Sequence, residues 1–374
     1  MCDVLMVNNW GDNPNLREYY FQKYLNHNKI NTYMIGRRNS TIPKNSNTLF
    51  LDIPFNKNCT FHKSFFAGNL ARFIIILYST LFLLKFKPKF IYVRDIYFTT
   101  YFIILAKILR FKVISESHGM AFKELSYKKK FFKSKWLKPL EIFNYKNINY
   151  SVCITNTLKK NISSYTSDNK IFTIPNGIDI KEINEVRSNS GFQKSISNKN
   201  QTKLIGFIGH WERWIEIEDL LESSNFLGSN MKIVVVGKGY NYLKYKNKYK
   251  KVIFKGWLTR PRAWNLLSLF DVCVSPWSDD ILFTEKSPRK TLEYLAFGKP
   301  IIVSDVPGRE NFLKPNENCI LYEYQNPKDL AIKTRKVLED SLISQKLSKN
   351  NINLAKEFDW DQIFKRSKIL EIFI

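Results

Sequence analysis

Apolar residues along this chain gather in short, nearly unbroken runs. In the first half these are Val4–Val7, Phe90–Val93, Lys112–Glu116 and Tyr150–Thr155; in the second they are Leu204–Ile208, Lys232–Val236, Val252–Phe254, Asp271–Val274 and Ile301–Val303. Runs rich in β-branched residues, without strict polar alternation, are expected of strands covered on both faces by crossover helices in a parallel sheet. Amphipathic stretches such as Asp219–Phe226 and Ala263–Phe270 lie between them and would supply those helices. The pattern predicts an α/β chain of two doubly wound, Rossmann-like domains. Glu185 to Thr202, dense in Ser, Asn, Lys and Gln, carries almost no apolar periodicity and reads as a solvated connection. The expected organisation is therefore an N-terminal domain at 1–184, a linker at 185–202, a C-terminal domain at 203–357 and a C-terminal helix at 358–374 that could pack back on the first domain. In such sheets ligands sit beyond the carboxyl ends of the strands, so two domains facing across a cleft would draw their site residues from strand-to-helix turns.

The most apolar stretch, Phe73–Leu84, is interrupted by Tyr78, Ser79 and Thr80 and falls short of the roughly 20 apolar residues a bilayer span needs. It reads as a buried helix. The start, MCDVLMVNNW, has no basic leader or long apolar run and reads as a first strand, which points to the cytoplasm.

Composition narrows the picture further. Of 374 residues 44% are hydrophobic, which excludes a disordered chain, and 59 Lys plus Arg against 33 Asp plus Glu leave a net charge of +26. That balance favours polyanionic partners: nucleic acid, anionic lipid or phosphorylated small molecules. The five cysteines form no CxxC pair and have no suitably spaced histidine, so neither a disulfide framework nor a zinc site is indicated.

Chemistry concentrates between Phe283 and Asp305. Ser287 can cap a helix whose first turn suits Pro288, and Gly298 with Pro300 gives its stop. Arg289 and Lys290 then fall in the first turn, where the helix dipole already carries about half a positive charge and prefers an acid. A bound phosphate would resolve that conflict by accepting backbone N–H groups and a charge-assisted bond from Lys290. Glu285 is expected on the loop ahead of the helix and Glu293 inside it, where a carboxylate can accept from vicinal sugar hydroxyls.

These residues, with the following EYLAFGKPIIVSDVPG, IPNGID (Ile174–Asp179), GFIGHWERW (Gly206–Trp214), VVVGKG (Val234–Gly239) and the late FDW (Phe358–Trp360), resemble the GT-B glycosyltransferases, and among them family 4, the retaining nucleotide-sugar enzymes. The match is dense over Ile171–Leu313 and loose in the first half. The resemblance implies that Glu293 binds the ribose hydroxyls and Glu285 the transferred sugar. It also implies that Lys290, with an Arg from the loop after Gly209, grips the diphosphate and stabilises it as it leaves, while Ser287 and Arg289 at the same helix start count among the donor-binding residues. Phe283 and Thr284 would shape the sugar pocket, Gly209 and Gly237 would form turns against the nucleotide, and Gly11 would stand in a turn after the first strand. Family members usually carry a cation followed by Gly beyond the tryptophan of the first turn. This chain has Ile215 and Glu216 there, so either Arg213 or His210 substitutes or the diphosphate grip is weaker than usual in the family. His118, just past a strand end in VISESHGM, matches a histidine near the transferred sugar. The implied enzyme needs no metal and no cofactor beyond the nucleotide sugar itself, and Asp359-Trp360-Asp361 reads as a helix start with capping acids, not as a metal motif.

Lys123–Lys146 carries Phe132, Trp136, Leu140 and Phe143 at helical spacing, with Lys130, Lys133, Lys135 and Lys138 off that stripe. It reads as a basic amphipathic helix suited to an anionic inner-leaflet surface or, equally, to its own domain. The leading expectation is a cytoplasmic, peripheral, retaining transferase acting on a glycan or lipid-linked saccharide, with no nucleic-acid partner. Two rivals stand beside it: a nucleotide-sugar epimerase on the same scaffold, and a basic nucleic-acid-binding protein using the interleaved Tyr and Lys of Tyr240–Lys251.

Overall fold

Each group of apolar runs forms one all-parallel sheet. A computed structural model describes residues 2–8, 16–37, 47–51, 65–189, 202–211, 215, 217–279 and 284–373. The chain forms two units, Met1–Pro175 with Phe364–Ile374, and Asn176–Ile363.

The first unit runs β1 (Val4–Asn8), α1 (Leu16–His27), β2 (Thr32–Arg37), β3 (Thr48–Leu51), α2 (Phe65–Phe86) and β4 (Phe90–Val93). It continues through α3 (Ile96–Leu109), β5 (Lys112–Ser117), α4 (Ala121–Tyr127), α5 (Phe131–Asn147), β6 (Tyr150–Cys153), α6 (Asn156–Ile162) and β7 (Ile171–Thr173). Its strands lie in the order β3-β2-β1-β4-β5-β6-β7, so the direction of winding reverses between β1 and β4. The second unit contains α7 (Ile180–Asn189), β8 (Lys203–Ile208), α8 (Ile217–Ser223), β9 (Met231–Val236), α9 (Tyr242–Lys248), β10 (Ile253–Gly256) and α10 (Arg260–Ser268). After these come β11 (Val272–Ser275), α11 (Arg289–Ala296), β12 (Ile301–Ser304), β13 (Cys319–Tyr322), α12 (Pro327–Glu339), α13 (Ser341–Ala355) and α14 (Trp360–Ser367). Its order is β10-β9-β8-β11-β12-β13, with the reversal between β8 and β11. Such reversal points open a crevice at the carboxyl ends of the flanking strands.

The division at Pro175 precedes the polar stretch because α7 belongs with the second unit. Ile178 N–H donates to the Phe358 carbonyl at 2.9 Å, and Arg187 donates to the Ala296 carbonyl at 3.3 Å. Asp359 accepts from Ile180 N–H with one oxygen (3.3 Å) and from Asp361 N–H with the other (3.1 Å), so this acid caps helix starts as the sequence suggests. The last residues join the first unit: the Phe364 ring lies 5.2 Å from Phe21 and 5.0 Å from Tyr24, and Phe373 lies 4.9 Å from Phe90.

Two expectations are corrected. The stretch around Phe73–Leu84 is not a buried helix: α2 has 22 residues, and only 22% of Asn69–Phe86 is buried. Ala71, Ile75, Ser79 and Leu83 face the core, whereas Phe73, Leu77 and Leu81 face outward. The stripe expected on α5 splits in the same way. Phe132 and Trp136 are exposed, while the buried side is polar, with Glu141 accepting from Ala121 and Phe122 N–H groups at 3.0 Å and Asn144 donating to the Ile96 carbonyl at 2.9 Å.

Among the described residues the cysteines Cys2, Cys153, Cys273 and Cys319 are buried free thiols. Burial pushes Cys2 and Cys153 up to about 11, and Cys319 up to about 12.

Candidate functional site

In the second unit the carboxyl ends of β8 and β9 turn against each other. Gly209 and Gly237 hold φ of +135° and +117°, conformations that glycine adopts freely. Gly209 N–H donates to the Val236 carbonyl at 2.9 Å and Gly237 N–H to the Gly256 carbonyl at 2.6 Å. A Cβ on Gly237 would stand 2.1 Å from the Gly209 oxygen. His210 donates from Nδ1 to the Lys238 carbonyl at 2.6 Å. The Trp211 indole donates to the Tyr240 carbonyl at 3.0 Å.

The amino end of α11 lies against this turn. Lys290 stretches over Gly209, its Nζ donating to the His210 carbonyl at 3.3 Å and standing 4.3 Å from the centre of the buried Phe207 ring. Tyr294, one turn on, accepts from Ile208 N–H at 2.8 Å and so ties α11 to the end of β8. Removing that hydroxyl in Tyr294→Phe leaves a buried N–H unmatched; the expected loss is about 1–3 kcal/mol of stability, read from denaturant unfolding.

Ser287 does not cap α11. The N-cap is Pro288, which makes no side-chain cap bond. Ser287 instead accepts from Asn176 N–H at 3.0 Å, while the Asn176 amide donates to the Ser287 carbonyl at 2.6 Å. Asn176 belongs to the IPNGID segment, so that segment holds the loop ahead of the helix in place. Thr284 and Glu285 form a short turn before it, with Glu285 buried. Asn311 donates to the Thr284 carbonyl at 3.4 Å, and a Cβ on Gly308 would come within 2.9 Å of Thr284 Cα.

Glu293 sits one turn inside α11, with Lys290 and Arg289 before it. Burial pushes its carboxyl up, while Arg289, Arg260 and the Trp264 indole pull it down. Arg260 lies 4.0 Å over the Trp264 ring and 3.1 Å from Glu182. Sequence reasoning missed Arg260, Trp264, Glu182, Phe207 and Asn176. The first three come from α7 and α10, whose local patterns advertise helices and nothing more; Asn176 and Phe207 lay within quoted motifs without being singled out. Burial also acts on Lys290, pushing its ammonium down to about 7 against the pull of Glu293. The structure thus brings Gly209, Gly237, Ser287, Arg289, Lys290 and Glu293 together around one helix start, with Thr284 and Glu285 on the turn leading to it. Gly11, Arg213 and Phe283 lie outside the described residues.

Two family models match consecutive stretches of the chain: Glycosyltransferase Family 4 over residues 53–182 and Glycosyl transferases group 1 over residues 190–354. The chain is a family 4 glycosyltransferase. An uncharacterized glycosyltransferase of Methanocaldococcus jannaschii is 25% identical over 285 residues, 71% of this chain and 69% of the relative. The GT-B architecture is shared with two solved structures. The Anabaena protein HepE, in complex with UDP and glucose, has a TM-score of 0.71 at 15% identity over 100% of both chains. Sucrose-phosphate synthase from Thermosynechococcus elongatus has a TM-score of 0.73 at 15% identity over 98% of both.

In the first unit of this glycosyltransferase, His118 follows β5 within a dense polar network. Arg94 donates to its Nδ1 at 2.9 Å, and its Nε2–H donates to Glu116, which also accepts from Tyr92 and lies 2.6 Å from Arg17 Nε. Burial pushes the Glu116 carboxyl up, but Arg17, His118 and Arg94 outweigh it and hold it far below the usual range. Burial and Arg94 together push His118 down to about 3, so the glycosyltransferase carries it as a neutral imidazole of fixed tautomer. Tyr245 and Tyr249 of the Tyr-Lys segment are buried and Tyr242 packs on Trp211 and Phe254, which spends those rings on the fold.

Proposed function

We propose that this glycosyltransferase moves a sugar, with retention, from a nucleotide diphosphate sugar to a glycan or lipid-linked saccharide in cell-surface polysaccharide or glycolipid synthesis. The observation that carries the reading is Lys290, a cation pushed down to about 7 that stretches over Gly209 from the first turn of a helix whose N-cap is Pro288. A diphosphate supplies the negative charge that the lysine and the helix dipole both favour, and more of it as the bond to the sugar breaks. The complexes of HepE with UDP and with UDP-glucose support a donor of this class. In this reading Glu293 accepts from the ribose hydroxyls, Glu285 and Thr284 meet the sugar, and Gly209 and Gly237 let backbone approach the nucleotide. Ser287 acts through Asn176, holding the loop. His118 serves as a neutral, positioned hydrogen-bonding group for the transferred sugar or the acceptor hydroxyl, since an imidazole at about 3 is a poor proton acceptor. No metal or further cofactor is required. The enzyme works in the cytoplasm at the inner membrane face, with the basic helix within Lys123–Lys146 toward anionic lipid.

The test is a thermal-shift screen of the purified chain against UDP, GDP, CMP and their sugar conjugates, with Lys290→Ala as control. A ligand at 100 times its Kd adds about 2.7 kcal/mol to the native state, so one nucleotide family should raise the melting temperature in the wild type and not in the variant. Absence of any shift, alongside salt-dependent RNA binding, overturns the reading. Nucleotide affinity should also depend on pH. Below pH 7 Lys290 is already charged in the free enzyme, so its charge state adds no slope; above it, binding must take up a proton. Affinity for the diphosphate should therefore fall by up to about tenfold per unit from pH 7 upward, measured by titration calorimetry, with the slope absent in Lys290→Ala.

A further inference from the structure

The outward side of α2 is apolar along its length. Leu70, Phe73, Leu77, Leu81 and Leu84 recur at steps of three and four residues, opposite the core-facing Ala71, Ile75, Ser79 and Leu83. Phe73 is 63% exposed. Beside it, α3 turns Tyr97, Ile104 and Ile108 outward, Ile108 being 72% exposed, while Phe98, Phe102 and Ile103 fill the core. The two helices are neighbours: Thr80 Oγ1 lies 2.8 Å from the Tyr101 hydroxyl and the Arg72 guanidinium 5.1 Å over the Tyr97 ring. They therefore set two exposed apolar stripes side by side on one face, more than scattered surface leucines would make.

Its border is cationic. Lys85, Lys87 and Lys89 stand exposed at the end of α2, and Lys107, Arg110 and Lys112 at the end of α3. Neither helix contains an Asp or Glu. On the third helix of this side, joined to α3 by Asn144, the exposed Phe132 and Trp136 stand among Lys130, Lys133 and Lys135.

We propose that α2 and α3 form a lipid-docking face, on which the enzyme lies with α2 flat in the headgroup region of an anionic bilayer. The proposal rests on the membrane-side acceptor reading above and deepens it, because it moves the main contact from α5 to α2. Burial of Ala71, Ile75 and Leu83 against the sheet holds α2 in the domain, so its outward stripe reaches only the interface although its length and composition would suit a span. Charge decides between lipid and a second copy of the chain. Two-fold pairing of this face would set like cationic borders together, whereas anionic headgroups complement them.

The experiment is flotation of the full chain with vesicles of phosphatidylethanolamine and phosphatidylglycerol, compared with phosphatidylcholine alone. Wild type should float with the anionic vesicles and leave them at high salt or alkaline pH. The triple variant Phe73→Gln, Leu77→Gln, Leu81→Gln replaces exposed side chains only, so it should fold, bind nucleotide as wild type does, and lose on the order of 100-fold in partitioning. The double variant Ile104→Gln, Ile108→Gln should lose about tenfold. Retention after alkaline extraction would make α2 a span and overturn the proposal. So would unchanged flotation of the triple variant with loss on reversing Lys130, Lys133 and Lys138 to Glu, or a dimer in light scattering that the triple variant dissolves. Failure of nucleotide binding in the wild type would fall instead on the proposed reaction.

Discussion

Replacing Lys290 by alanine is expected to slow sugar transfer by about 100- to 1,000-fold while shifting the melting temperature by no more than about 2 °C. The two halves of that expectation have separate causes. The ammonium is pushed down to about 7 by burial, so the fold gains little from keeping it charged and loses only its contact with Phe207 and one bond to the His210 carbonyl. In the proposed reaction, by contrast, a departing diphosphate would accumulate charge beside a helix end whose N-cap is Pro288, where Lys290 would meet it. Steady-state kinetics should show kcat falling while KM for the donor rises, since Lys290 would contact the bound diphosphate and charge builds further in the transition state. Turnover near wild type would remove Lys290 from the site.

The second large effect is structural. Gly237→Ala should cost roughly 3 kcal/mol or more, or about 6–12 °C in Tm, because two penalties combine. An L-residue at φ +117° is strained, and its Cβ would meet the Gly209 carbonyl at 2.1 Å. The chain can escape only by parting β9 from β8 at their carboxyl ends, where Gly209 supports Lys290. Calorimetry should show the drop, and nucleotide affinity should fall with it. A variant as stable as wild type would mean that the turn yields at no cost.

How much of this was legible depended on whether local pattern and tertiary partner agreed. The inner strands β1, β4, β5, β8, β9, β11 and β12 are covered on both faces, and their unbroken apolar runs announced them. Three edge strands, β3 (Thr48–Leu51), β7 (Ile171–Thr173) and β13 (Cys319–Tyr322), passed unnoticed because each is only three or four residues long, although the fourth edge strand, β10, is as short and was announced by Val252–Phe254. β2 escaped notice because half-buried Tyr33 and Gly36 break its run. The α2 stretch was misread for the opposite reason: it is apolar on both sides, so no periodicity says which side meets the sheet. Ser287 shows a local signal overruled from a distance, since Asn176, 111 positions away, takes the hydroxyl that would otherwise cap α11. The gathering of residues at the start of α11 was the most legible part of the candidate site, because Arg289 and Lys290 oppose the helix dipole and that conflict is visible in sequence. The residues that tune Glu293, Arg260 and Trp264, were hidden by their distance along the chain.

The buried thiols have a practical consequence. With Cys2 and Cys153 pushed up to about 11, only roughly one in ten thousand of each is thiolate at neutral pH, and burial keeps reagents away as well. These positions should react with maleimides far more slowly than an engineered cysteine in the open. A reporter dye placed on the outward side of the first unit would meet little competition from the four buried thiols, so only Cys59, outside the described residues, would need replacing before site-specific labelling.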